Sequence, residues 1–328
     1  MLLELSLVFL AIFLLWIYIS YRGWKRNLLK TLNENSEVAT TSRGEIEYIL
    51  KGSGPVILFL HGSPGGYDQG TLDMDLWNDA GFSLLSISRP GYLRTPLSTG
   101  ETFEEQADAI EALLDTLNIS KVAILGASGG GPIALHFALR HPDRISSLIL
   151  MSAVSNEYTV DQEAMDSTLA RLFLSDSIAD FGAWLYDVIT RRWTSMSLKE
   201  AFKETVNLES KERDEIVKQI MAIPEQVDWC KRFIRTTCPM TPRMIGFNND
   251  LKLLQQVSFT SLEAINCPAL VIHGTVDGDV SYSNAEFAAS SIPNARLYSI
   301  ENIGHIVWFG EHVSEMNAEL IRFLRAHS

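Results

Sequence analysis

Gly126-Ala127-Ser128-Gly129-Gly130 decides the reading of this chain. The apolar run Val122-Ala123-Ile124-Leu125 leads into it, and Gly131-Pro132-Ile133-Ala134-Leu135-His136-Phe137-Ala138-Leu139 follows with helical character. The pattern predicts a strand, a sharp turn and a helix, with Ser128 at the apex. Such a turn strains the serine backbone and lifts its hydroxyl clear of the sheet. Side chains in place of Gly126 or Gly130 would collide with neighbouring backbone. Gly129 adds an N–H beside the hydroxyl at a helix start, where free N–H groups and the helix dipole favour negative charge.

Three more stretches fall in a telling order. His61-Gly62-Ser63-Pro64-Gly65-Gly66 follows the strand-like Val56-Ile57-Leu58-Phe59-Leu60. Ala269-Leu270-Val271-Ile272-His273-Gly274 runs into a loop carrying Asp277 and Asp279. Gly304-His305 comes after the strand-like Arg296–Ile300 and before a C-terminal helical pattern. Pro90-Gly91-Tyr92 and Arg140-His141-Pro142-Asp143-Arg144 sit at further strand boundaries. Together these motifs resemble the serine-nucleophile branch of the α/β-hydrolase fold family, over residues 38–327. A serine at the apex argues against the dehalogenase and epoxide-hydrolase branches, which need a carboxylate nucleophile.

The resemblance implies a mostly parallel eight-stranded sheet flanked by helices, with a helical cap inserted after the sixth strand. It implies Ser128 as nucleophile, Asp277 as acid and His305 as base, in the family's chain order. Asp277 lies three residues after Gly274 and three before Val280, and Asp279 is its rival. The N–H groups of Ser63 and Gly129 are the expected oxyanion donors. His61 is expected to orient its loop and His273 to end a strand. No metal or organic cofactor is implied.

Net charge is −13 over 328 residues, without a basic stripe interleaved with aromatics, which disfavours nucleic acid as a partner. Three cysteines, Cys230, Cys238 and Cys267, are too few and too odd in number for a disulfide framework. Neither C-x-x-C nor H-E-x-x-H occurs, so no metal site is expected.

The N-terminus carries a second signal. Between Leu5 and Ile19 only Ser6 is neither apolar nor aromatic. A helix of about 20 such residues spans roughly 30 Å of hydrocarbon. Trp16, Tyr18, Tyr21 and Trp24 gather at one end, as interfacial aromatics do. A cleaved signal would have basic residues before the run and a small-x-small site after it, and neither is present. Arg22, Lys25, Arg26 and Lys30 follow the run, so the positive-inside rule places the catalytic domain in the cytoplasm. The expected organisation is a single-pass anchor over residues 1–21 and a juxtamembrane linker over 22–37, polar from 25 onward. The hydrolase core takes residues 38–154 and 258–328, with the cap over 155–257.

The cap region lacks strand patterning and reads as helices near 162–173, 177–189, 198–207, 211–222 and 229–235. Phe181, Trp184, Trp193 and Trp229 are candidates to line a substrate cavity. The expected activity is hydrolysis of a carboxylic ester with a small or lipid-like acyl group. An aminopeptidase similar to proline iminopeptidases is an alternative, although this chain has Gly129 where those enzymes carry tryptophan. Carbon–carbon bond hydrolysis and perhydrolysis would use the same three residues. A non-enzymatic, membrane-tethered binding protein on the same scaffold is the alternative from another class.

Overall fold

Apolar runs flanked by glycine, proline and polar residues become the interior strands. In the computed structural model, which describes residues 2–159, 175 and 178–327, β1 (Glu37–Thr41) and β2 (Gly44–Gly52) form a hairpin. Then come β3 (Val56–Leu60), β4 (Ser83–Ile87), β5 (Val122–Ala127), β6 (Ile145–Met151), β7 (Ala269–Gly274) and β8 (Ala295–Ile300). They make one eight-stranded sheet in the order β1-β2-β4-β3-β5-β6-β7-β8. Only β2 runs against the rest, so β1, antiparallel to it, shares the direction of the other strands. The central strands are buried along almost their whole length, as a sheet covered on both faces requires.

Helix α1 spans Leu2–Glu34, and α2 (Phe103–Thr116) and α3 (Gly131–Arg140) cover one face of the sheet. Thr102 and Glu105 close a capping box at the start of α2. The cap supplies α4 (Ala179–Arg192), α5 (Thr194–Thr205), α6 (Ser210–Met221), α7 (Pro224–Arg235) and α8 (Met244–Leu254). Helix α9 (Ser283–Ser291) joins α2 and α3, while α10 (Val313–His327) packs Met316, Leu320 and Phe323 on the opposite face. The helix expected near 162–173 lies outside the described residues. Helix α8 was not legible, because Gly246, Asn248, Asn249 and Asp250 are weak helix formers.

The linker expected over 22–37 is corrected: α1 continues unbroken to Glu34. Trp24, Leu28 and Leu32 recur every fourth residue, so they form one stripe that faces the domain. Leu28 and Leu32 are buried, Trp24 Nε1 donates to Asp187 Oδ2 at 2.7 Å, and Lys25 Nζ pairs with Asp180 Oδ2 at 2.5 Å. Tyr67 Oη donates to the Leu32 carbonyl at 2.7 Å. The first half of α1 is different. Its large apolar residues from Leu5 to Ile19, the half-buried Ile17 apart, are each 50% to 70% exposed, and the helix is long and apolar enough to cross a membrane.

Candidate active site

The site lies where β3, β5 and β7 end, the side on which open α/β sheets place their ligands. β5 delivers Ser128 with φ of +49°, a backbone conformation that L-residues rarely adopt. The turn closes because both flanking glycines lack side chains. A Cβ on Gly126 would meet Ala134 Cβ at 2.8 Å, and one on Gly130 would strike the Leu60 carbonyl oxygen. The α3 helix then starts beneath the serine with Pro132 in its first turn.

Ser128 Oγ lies 3.0 Å from His305 Nε2, and His305 Nδ1 lies 2.9 Å from Asp277 Oδ2. The tautomer with hydrogen on Nδ1 donates to Asp277 and leaves Nε2 to accept the serine proton. Asp277 Oδ1 accepts from the N–H groups of Asp279 at 2.9 Å and Val280 at 2.8 Å. This explains the spacing to Val280: the loop folds back on its own carboxylate. Burial alone would raise the Asp277 pKa, but the His305 charge and hydrogen bonds from His273 and His305 hold it well below the usual range. Burial works against the His305 imidazolium in turn. The charges of Asp277 and then Asp279, with the Asp277 hydrogen bond, overcome it and raise His305 to about 9.

Two residues do more than the sequence suggested. His273 is not merely a strand end: its Nε2 is 3.0 Å from Asp277 Oδ2 and 2.9 Å from the Val280 carbonyl. Two acceptors at one nitrogen fix the proton there, so His273 donates to the acid loop. Asp279 is exposed, yet it also reaches the site. Its Oδ2 stands 3.5 Å from His305 Nε2, and Tyr158 Oη donates to its Oδ1 at 2.8 Å.

The loop after β3 is held from behind. His61 is buried, with Nδ1 2.7 Å from the Gly62 carbonyl and Nε2 accepting from the Arg89 N–H at 3.0 Å. Burial, and then the Arg89 charge, keep its pKa well below the ordinary histidine value. It is therefore the neutral, loop-orienting histidine expected. The Gly62 N–H is taken by Gln69 Oε1 at 2.8 Å. Ser63 lies against Gly129, where a Cβ would strike its hydroxyl, so the two expected oxyanion donors are neighbours. Arg89 and Asp250, both essentially inaccessible, complete this support.

The cap also reaches the site. The Thr205 carbonyl at the end of α5 accepts from the N–H groups of His305 at 2.8 Å and Gly278 at 3.2 Å. Gly304 and Gly278 sit at these contacts, where a side chain would meet the cap backbone. Ser128 and His305 open into a cavity of about 230 Å³ walled by Phe59, Leu72, Trp229, Phe233, Ile306 and Trp308. Of the cap aromatics singled out earlier, only Trp229 lines it. Phe181 and Trp184 pack on Tyr21 of α1, and Trp193 is exposed on the cap surface. Cys230, Cys238 and Cys267 are all free thiols, with burial pushing Cys230 and Cys238 up to about 12.

A family profile described as alpha/beta hydrolase fold matches residues 55–311. The chain belongs to the alpha/beta hydrolase fold family. This hydrolase is 28% identical to the uncharacterized hydrolase YcgS of Bacillus subtilis, over 88% of this chain and 98% of that protein. It is 25% identical to a 2-hydroxy-6-oxononadienedioate/2-hydroxy-6-oxononatrienedioate hydrolase of Burkholderia vietnamiensis, over 85% and 91% of the two chains. Among solved structures, an alpha/beta hydrolase fold protein from Nakamurella multipartita matches with a TM-score of 0.80 at 30% identity, covering 89% of this chain and all of that one.

Proposed function

We propose that this hydrolase cleaves a carboxylic ester through an acyl-enzyme on Ser128. The observation that carries the reading is the continuous relay of Ser128 Oγ, His305 and Asp277 at 3.0 and 2.9 Å, opening into an apolar cavity. His305 takes the serine proton as Oγ attacks the carbonyl carbon, and Asp277 orients and balances the imidazolium. The N–H groups of Ser63 and Gly129 receive the oxyanion. His305 then protonates the departing alcohol and activates the water that frees the acid. The apolar first half of α1 anchors the chain in a membrane with this domain on the cytoplasmic side, which favours substrates of low polarity.

A second reading is hydrolysis of a carbon–carbon bond in an oxo-dienoate, favoured by the name of the Burkholderia relative. The purified chain should release p-nitrophenol from p-nitrophenyl butyrate and label with a serine-directed fluorophosphonate, and Ser128→Ala should do neither. Labelling without turnover of any ester, alongside cleavage of an oxo-dienoate, would replace the first reading with the second.

A further inference from the structure

The charges around the nucleophile are unevenly matched. Asp277 is buried behind His305 and its four donors satisfy it. Asp279 is on the other side, lining the cavity beside the nitrogen that must receive and return the proton. Besides His305 Nε2 at 3.5 Å, the donor that Asp279 meets among the described residues is the uncharged Tyr158 hydroxyl, so no lysine or arginine there cancels its charge. Even when His305 is protonated, Asp277 already balances it, and Asp279 remains as excess negative charge. Asp73 adds a second carboxyl to the wall, accepting from Trp229 Nε1 at 2.9 Å. Among the described residues, no lysine or arginine lines this cavity. Arg232, which acts on Asp73, is on the outer surface, paired with Asp228 at 2.9 Å. Arg89 is sealed beneath the loop after β3 and taken by Asp250.

We propose that Asp279 makes this cavity a charge filter, admitting uncharged acyl groups and rejecting those that carry a free carboxylate. The inference rests on the ester reading for its acyl group and on the geometry for its sign. An anionic chain entering the cavity would meet aromatic walls that cannot solvate it and a carboxylate that repels it. An uncharged chain gains the apolar part of the wall and meets no repulsion from Asp279. A specificity of this kind narrows the substrate to a neutral ester and excludes half-esters of dicarboxylic acids.

Two fluorophosphonates test it, one with a plain alkyl tail and one of equal length ending in a carboxylate. Labelling needs only the reactive serine, so the result does not depend on which bond is the natural one. The full chain should label with the alkyl probe more than roughly tenfold faster than with the anionic probe. Asp279→Asn should narrow that ratio several-fold, whatever it does to both rates through His305, and Asp73→Asn should narrow it less. Equal labelling by the two probes overturns the inference, as does a ratio that both variants leave unchanged. A chain that labels selectively but hydrolyses no ester sinks the ester reading and keeps the filter.

Discussion

The hydroxyl of Ser63 donates to the carboxylate of Asp250, tying the loop after β3 to the last helix of the cap. Arg89 holds the same carboxylate through both terminal nitrogens, Tyr92 Oη donates to it at 2.5 Å, and Arg89 Nη2 returns to Ser63 Oγ at 3.0 Å. Gly91 and Gly246 allow the two backbones to touch, with Gly246 N–H donating to the Gly91 carbonyl at 2.8 Å. On the proposed mechanism Asp250 is thus a positioning residue for an oxyanion donor. Ser63→Ala keeps the amide and loses its tether, so kcat should fall about tenfold with KM little changed. Affinity for a trifluoromethyl ketone should fall in parallel, whereas a purely structural tether would leave it alone. Asp250→Ala strands a buried guanidinium and should cost about 3–5 kcal/mol in urea unfolding.

Ser128 carries backbone strain that its side chain does not need. Ser128→Ala and Ser128→Gly should both lose several orders of magnitude in ester hydrolysis. They should differ in stability. Glycine accepts the positive φ of this turn, so Ser128→Gly should unfold at higher urea than Ser128→Ala, by about 1 kcal/mol. More than a tenth of wild-type turnover in either variant would remove Ser128 from the mechanism.

The elbow, the strands and the three side chains that meet as Ser128, His305 and Asp277 were legible because each depends on local chemistry. Glycines mark the turn, apolar runs mark buried strands, and fixed spacings mark the loops at their ends. What was hidden depends on contacts between distant segments. Asp250 lies 187 positions from the serine it holds, on a helix whose residues favour loops. The Thr205 carbonyl carries no side-chain signature at all. His273 could have been suspected, since a histidine four residues before the acid and next to a glycine can reach that acid in a folded-back loop. The docked half of α1 was masked by its polar composition, although the stripe of Trp24, Leu28 and Leu32 was there to be read.

The two carboxylates of the acid loop should separate by pH. His305 must be neutral to accept the serine proton, and its pKa is raised to about 9. In the free enzyme kcat/KM should therefore climb with pH through that region, well above the ordinary histidine range. Asp279→Asn removes one of the two charges that favour the imidazolium, so the climb should shift to lower pH, with the alkaline plateau largely kept. Asp277→Asn should lower the plateau itself by about 10³–10⁴-fold, because the imidazole loses its orienting anion. A pH–rate profile of the three proteins on one ester decides between them. If Asp279→Asn collapses the plateau and Asp277→Asn does not, the acid has been assigned to the wrong residue.

Helix α1 has two halves with different physics, and truncation at two points should show it. Among the described side chains from Glu4 to Ile19 all but the half-buried Ile17 are exposed in the isolated chain, so removing residues 1–19 leaves the packed half of α1 in place. The remaining protein should stay in solution without detergent and keep its activity on water-soluble esters. Removing residues 1–30 also takes Trp24, Lys25 and Leu28. Asp180, only 3% exposed, then loses Lys25 and keeps the Thr241 N–H at 2.8 Å. Asp187 loses the Trp24 indole, and the apolar groove around Tyr67 and Met244 opens. That truncation should unfold more easily by about 3–5 kcal/mol, the scale of an uncompensated buried charge. The full chain should remain with the membrane after carbonate extraction, and in spheroplasts the domain should be shielded from added protease. A mature chain found in solution with its N-terminus beyond residue 20 would make the segment a cleaved signal and overturn both the anchor and the cytoplasmic placement, while the docked half of α1 would still be required for the fold.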